Sequence, residues 1–93
     1  MKLEDFSNCK AVYRKGRQIF GKDFILMESR RKDKKYATID PNTGNIVNFG
    51  QLGYEDWTKH KDKKRREAFL TRNKKWKNAY PYSPAFLSYH LLW

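Results

Sequence analysis

The stretch KYATIDPNTGNIVNFG, residues 35–50, decides the fold of this chain. YATI and IVNF are short runs of β-favouring residues on either side of Asp40-Pro41-Asn42-Thr43-Gly44-Asn45. Pro41 presets the φ of a turn and Gly44 supplies positive φ, so the stretch predicts a β-hairpin. Alternation puts Tyr36 and Thr38 on one face and Ala37 and Ile39 on the other, with Ile46, Val47 and Phe49 packing across. An isolated hairpin is barely stable in water, so a further strand is needed. DFILMES, residues 23–29, offers one: four consecutive apolar residues suit a strand buried on both faces.

Downstream, Gly50 and Gly53 bracket a tight turn that aims Tyr54 and Trp57 back at the hairpin. GQLG lacks the Lys-Ser/Thr ending of a phosphate-binding P-loop, which argues against that reading. Thr58 is an N-cap candidate and Asp62 places an acid in the first turn of a helix predicted over about 61–75. On it Arg65, Phe69, Arg72 and Trp76 share one stripe, with the two rings docking in the core and the Arg stems lying beside them. The helix is also where the charge lies. Of a net +11, the segment 59–77 carries ten Lys and Arg against Asp62 and Glu67. Charge so concentrated repels itself and favours docking on something negative.

AYPYSP, residues 79–84, breaks the helix and predicts an extended arm. Pro84 suits the first turn of a short C-terminal helix containing Phe86, Leu87, Leu91, Leu92 and Trp93. These residues either finish the core or form a docking arm over 79–93 for another subunit. Residues 1–22 are the least readable, with no sustained period; Val12 and Tyr13 suggest a short strand over 10–14. The expected fold is therefore α+β: a small antiparallel sheet of strands near 10–14, 23–29, 35–40 and 45–50, covered by the basic helix and the C-terminal helix.

Ninety-three residues make one small domain, and with 39% apolar but 16% aromatic residues the core must rest on a few large rings. Cys9 is the single cysteine, which excludes an intramolecular disulfide and leaves a reducing compartment as the simpler expectation. Neither a run of ~18 apolar residues nor the apolar core of a signal peptide occurs, so a soluble intracellular protein without a membrane span is expected.

For chemistry, His60 could pair with Asp56 or Asp62 as acid and base, and Asp56, Asp62 and Glu67 could hold a divalent metal. These positions lie on a turn and a first helical turn among cations, where His and Asp more often cap. The reading is of a non-enzymatic chain without cofactor or metal. Its candidate polyanion- or partner-binding residues are Lys59, Lys61, Lys63, Lys64, Arg65, Arg66, Arg72, Lys74, Lys75 and Lys77. The aromatic docking residues are Tyr54, Trp57, Trp76, Tyr80, Tyr82 and Trp93.

At Phe49-Gly50, Gly53-Tyr54, Asp56-Trp57-Thr58, His60-Lys61-Asp62, Arg65-Arg66, Phe69, Arg72 and Leu91-Leu92-Trp93, the chain resembles a family of short basic proteins of large double-stranded DNA viruses. The resemblance runs from Lys35 to the end. Asn73 departs from it, since relatives commonly have His there, which weakens any site built on two histidines. The resemblance implies a viral origin and a place in the virion, with the host cytoplasm or nucleus as the site of assembly. The function expected on that basis is a minor capsid component that cements capsid subunits or links shell to interior, with other capsid or virion proteins as partners. The alternative is a sequence-independent DNA-binding protein for genome packaging or condensation, using the basic helix.

Overall fold

The hairpin forms where its turn chemistry places it. A computed structural model describes residues 2–93. In it β2 (Lys34–Ile39) and β3 (Ile46–Gln51) pair antiparallel, with Tyr36 opposite Phe49, Thr38 opposite Val47 and Ile39 opposite Ile46. The loop closes through Asp40: its carbonyl accepts from Gly44 N at 2.7 Å, and its Oδ1 accepts from Asn42 N at 2.9 Å. Such an Asx turn is what an Asp before a loop Pro can supply. Tyr36, Thr38 and Phe49 are fully buried, whereas Ile46 is 63% exposed and does not join the packing expected of it.

The third strand is much shorter than expected. Of DFILMES only β1 (Met27–Glu28) pairs, Met27 opposite Ala37, giving the order β1-β2-β3. A strand at the edge of so small a sheet is covered on one side only, so the run is not buried on both faces: Phe24 enters the core and Ile25 is exposed.

The expected strand over 10–14 is a helix. α1 (Cys9–Phe20) starts at Asn8, whose Oδ1 accepts from Ala11 N at 3.2 Å. Val12, Gly16 and Phe20 recur every four residues, and a glycine in the middle of that stripe hid it from a reading based on apolar residues. Gly16 is required by packing: a Cβ there would meet the Phe24 ring at 2.1 Å. The ring lies directly on the helix backbone.

The basic helix forms, shorter than expected, with a separate short helix before it. α2 (Trp57–His60) is capped by Asp56, not Thr58, and Lys61 leaves it in the left-handed region at φ 56°. Asp62 then caps α3 (Lys63–Arg72), its carboxylate accepting from Lys64 N and Arg65 N. Two caps six residues apart start two helices, so the basic helix expected over 61–75 begins at Lys63 and its α-helical part ends at Arg72. Beyond α3, Lys74–Asn78 is a 3₁₀ helix.

At the C-terminal end α4 (Pro84–Leu87) has Pro84 in its first turn and Ser83 as cap, then widens into a π turn over Ser88–Leu92. Leu87, Leu91 and Leu92 join Val12, Phe24, Tyr36 and Phe49 as the buried core. Leu92 sits over Gly50, where a Cβ would stand 2.8 Å from its Cδ1. Phe69 and Trp76, expected in the core, are only half buried. No described helix is long and apolar enough to cross a membrane.

Candidate functional site

The Asp56-Trp57-Thr58 stretch divides its side chains between the interior and the surface. Asp56 and Thr58 are buried, and Lys35 on β2 is buried with them. Lys35 Nζ meets Asp56 Oδ2 at 3.0 Å, with 3% and 1% of the two side chains exposed. Asp56 Oδ1 accepts from Thr58 N at 3.0 Å and from the Thr58 hydroxyl. The Tyr36 hydroxyl donates to Ser7 Oγ at 2.8 Å, which leaves the Ser7 hydroxyl to donate to Thr58 Oγ1 at 3.2 Å. Thr58 Oγ1 also accepts from Asn8 N at 2.9 Å.

The carboxylate is thus the end of a chain of oriented donors that ties the N-terminal segment, the hairpin and α2 together. Burial pulls the Lys35 ammonium below its ordinary range, and Asp56 acts against that pull. Burial pushes the Tyr36 hydroxyl above the usual phenol range. Asp56 is therefore a cap and a buried counter-ion, with no free oxygen facing solvent for acid–base work.

His60 is likewise committed. Its Nδ1 accepts from Asp62 N at 2.8 Å, so the neutral ring carries its proton on Nε2. That Nε2 is buried without a hydrogen-bond partner among the described residues, and the ring centroid lies 5.1 Å from that of Trp93. Burial, then the nearby Arg65, lowers its pKa. Among the described residues no three His, Cys, Asp or Glu side chains converge as a metal-binding group.

Outside this interior lies a basic ridge formed by α2, α3 and the 3₁₀ helix. All ten of its expected cations, from Lys59 to Lys77, are exposed. Arg65 alone among them forms an ion pair among the described residues, to Glu55 Oε1 at 3.9 Å. Trp57 stiffens one end of the ridge: Lys61 lies 5.3 Å and Arg66 5.0 Å from its ring. Arg66 Nε also donates to the main-chain oxygen of Trp93 at 2.8 Å. α1 adds a cation that the sequence reading missed. Burial first, then Arg66 and Lys61, lower the Lys15 pKa, so three like charges share this corner. The one available signal was the helical period of α1.

The remaining aromatic candidates separate into two groups. Tyr80 and Tyr82 turn back on the chain itself: Tyr80 donates to Asp40 Oδ2 at 2.6 Å, and Tyr82 packs on Phe20 with centroids 4.5 Å apart. Tyr54, Trp76 and Trp93, together with Phe69, line a cleft of about 570 Å³ between α3 and the end of the hairpin. Phe69 and Trp93 stack with centroids 4.3 Å apart at 8°, and Trp76 and Phe69 are nearly perpendicular with centroids 6.0 Å apart. Tyr54 is 69% exposed at the margin, not folded back on the hairpin. Lys34, Arg65 and Arg72 border the same cleft, against Glu55.

A family model described as a family of unknown function (DUF5754) matches residues 25–73, and the chain belongs to that family. The match spans the hairpin, the buried Lys35–Asp56 pair and α3. No curated protein and no solved structure matches the chain.

Proposed function

We propose that this family member is a non-enzymatic, sequence-independent nucleic-acid-binding protein whose basic ridge tracks the phosphate backbone. The observation that carries the reading is the contrast in pairing: ten exposed cations, of which Arg65 alone meets a carboxylate among the described residues. A helix held out from the core with its charges unneutralised gains most by exchanging small counter-ions for a polyanion.

Titrating unrelated DNA sequences against salt tests it. Each phosphate contacted contributes about −0.9 to the slope of log affinity on log salt, so five or six contacts give roughly −5. Reversing Lys63, Lys64 and Lys74 to Glu abolishes binding with the fold intact. A shallow slope, or no retention at about 0.15 M salt, would sink the reading.

A second reading, a minor capsid component that cements capsid subunits or links shell to interior, is supported by the resemblance to short basic proteins of large double-stranded DNA viruses. The same ridge would then grip acidic capsid proteins, in the virion and, during assembly, in the host cytoplasm or nucleus. One motive for it weakens, because the leucines of the C-terminal segment fill the chain's own core. Purified virions should hold the protein at a defined stoichiometry; its loss from washed particles would exclude this role.

A further inference from the structure

The cleft beside α3 is unlike the rest of the ridge, because it is both cationic and aromatic. Its volume, about 570 Å³, is within the range of about 300–1,000 Å³ common for small-ligand pockets. Its aromatic wall is the Phe69–Trp93 stack with Trp76 nearly perpendicular to Phe69, and all three rings are half buried. An apolar peptide would be served by such walls, but the border carries Lys34, Arg65 and Arg72 against Glu55 alone. A flat ring attached to an anion matches both features.

Continuity with the ridge then selects among such ligands. Arg65 and Arg72 lie seven residues, or about two turns, apart on α3, and both belong to the ridge as well as to the cleft border. A chain whose phosphates follow those cations brings its bases past the cleft mouth at Tyr54. A base can enter only if it is unpaired, since in a duplex its faces are covered by neighbouring pairs.

We propose that this cleft is a base-stacking pocket for single-stranded nucleic acid, receiving one unpaired base against Trp76, beside the Phe69–Trp93 stack, while Arg65, Arg72 and Lys34 hold the flanking phosphates. The pocket deepens the polyanion reading and rests on it. It makes the protein prefer single strands to duplex, a preference that a plain basic ridge does not give.

The test titrates the full chain with three probes: a single-stranded oligothymidylate, a duplex of the same length, and inorganic polyphosphate, which carries charge but no bases. Single strand binds tighter than duplex and quenches tryptophan fluorescence, and polyphosphate binds without base-dependent quenching. Trp76→Ala weakens single-strand binding by roughly tenfold, as expected for one stacked base, and leaves polyphosphate binding unchanged. Because Trp76 packs on Phe69, its variant is checked by thermal melting. Tyr54→Ala, at a residue 69% exposed, gives a smaller loss with the fold not at risk.

Equal affinity for single strand and duplex, with neither variant changing it, overturns the pocket and leaves the ridge standing. Failure of all three probes overturns the ridge as well. An acidic apolar peptide that competes for the cleft while oligothymidylate does not would assign it to a protein partner and end this proposal.

Discussion

Two groups of charged residues, whose nearest members Asp56 and Lys59 are three positions apart, behave in opposite ways. Lys35 and Asp56 are taken out of water, paired at 3.0 Å, and surrounded by donors from Thr58. The cations of the ridge, from Lys59 onward, remain in water and mostly unpaired. The difference teaches that charge content alone says little about role. A buried pair fixes where elements meet and is costly to break from one side. An exposed unpaired series contributes almost nothing to the fold and is free for a partner.

Breaking the buried pair should give the largest effect. Asp56→Ala leaves the Lys35 ammonium buried without a counter-ion and removes the α2 cap, a loss of about 3–5 kcal/mol in urea unfolding. A loss below 1 kcal/mol would show that water reaches the pair. Leu91→Ala, at a fully buried core position, should cost about 2–5 kcal/mol by the same measurement. A neutral result would mean that the C-terminal segment does not pack on α1 and the sheet.

Gly16→Ala sharpens the comparison from the α1 side, because two effects of opposite sign meet there. Helix propensity favours Ala by about 1 kcal/mol, whereas overpacking against Phe24 costs about 1–3 kcal/mol. With a Cβ 2.1 Å from a buried ring, net destabilisation is expected, read as a lower melting temperature. A higher one would mean that the ring moves aside freely.

A smaller, pH-dependent effect is expected at His60. Its pKa is lowered in the folded state, so the unfolded chain binds the proton more readily. Its contribution is fully present above the ordinary imidazole pKa of about 6.5 and is lost as pH falls through the lower folded value. Protonation also removes the Nδ1 lone pair that accepts from Asp62 N. Melting temperature should therefore drop below about pH 6.5, and less so in His60→Gln; equal pH profiles for the two would contradict the assignment.

The smallest effect on stability is expected on the ridge. Lys63→Gln with Lys64→Gln should change unfolding free energy by no more than about 0.5 kcal/mol, while lowering affinity for DNA. A large loss of stability there would remove the distinction between the two groups.

What the sequence determined by itself was whatever a few adjacent residues decide. Pro41 and Gly44 specify the hairpin loop from their own backbone preferences, and Gly44 takes φ 75°. Pro84 starts the last helix for the same reason, and the charge of residues 59–77 needs no fold to be counted. The break between α2 and α3 was also written locally, in Asp56 and Asp62, but two short capped helices and one long helix compete for the same residues. Tertiary structure alone decided the rest. Lys35 reads as a solvated strand-edge lysine until a partner 21 positions away brings its carboxylate to it. α1 carries its stripe partly on Gly16, whose role is set by the Phe24 ring. The cleft joins residues of the hairpin, α3 and the C-terminal turn, and no local pattern records such a meeting, because the burial that creates it depends on how distant faces pack.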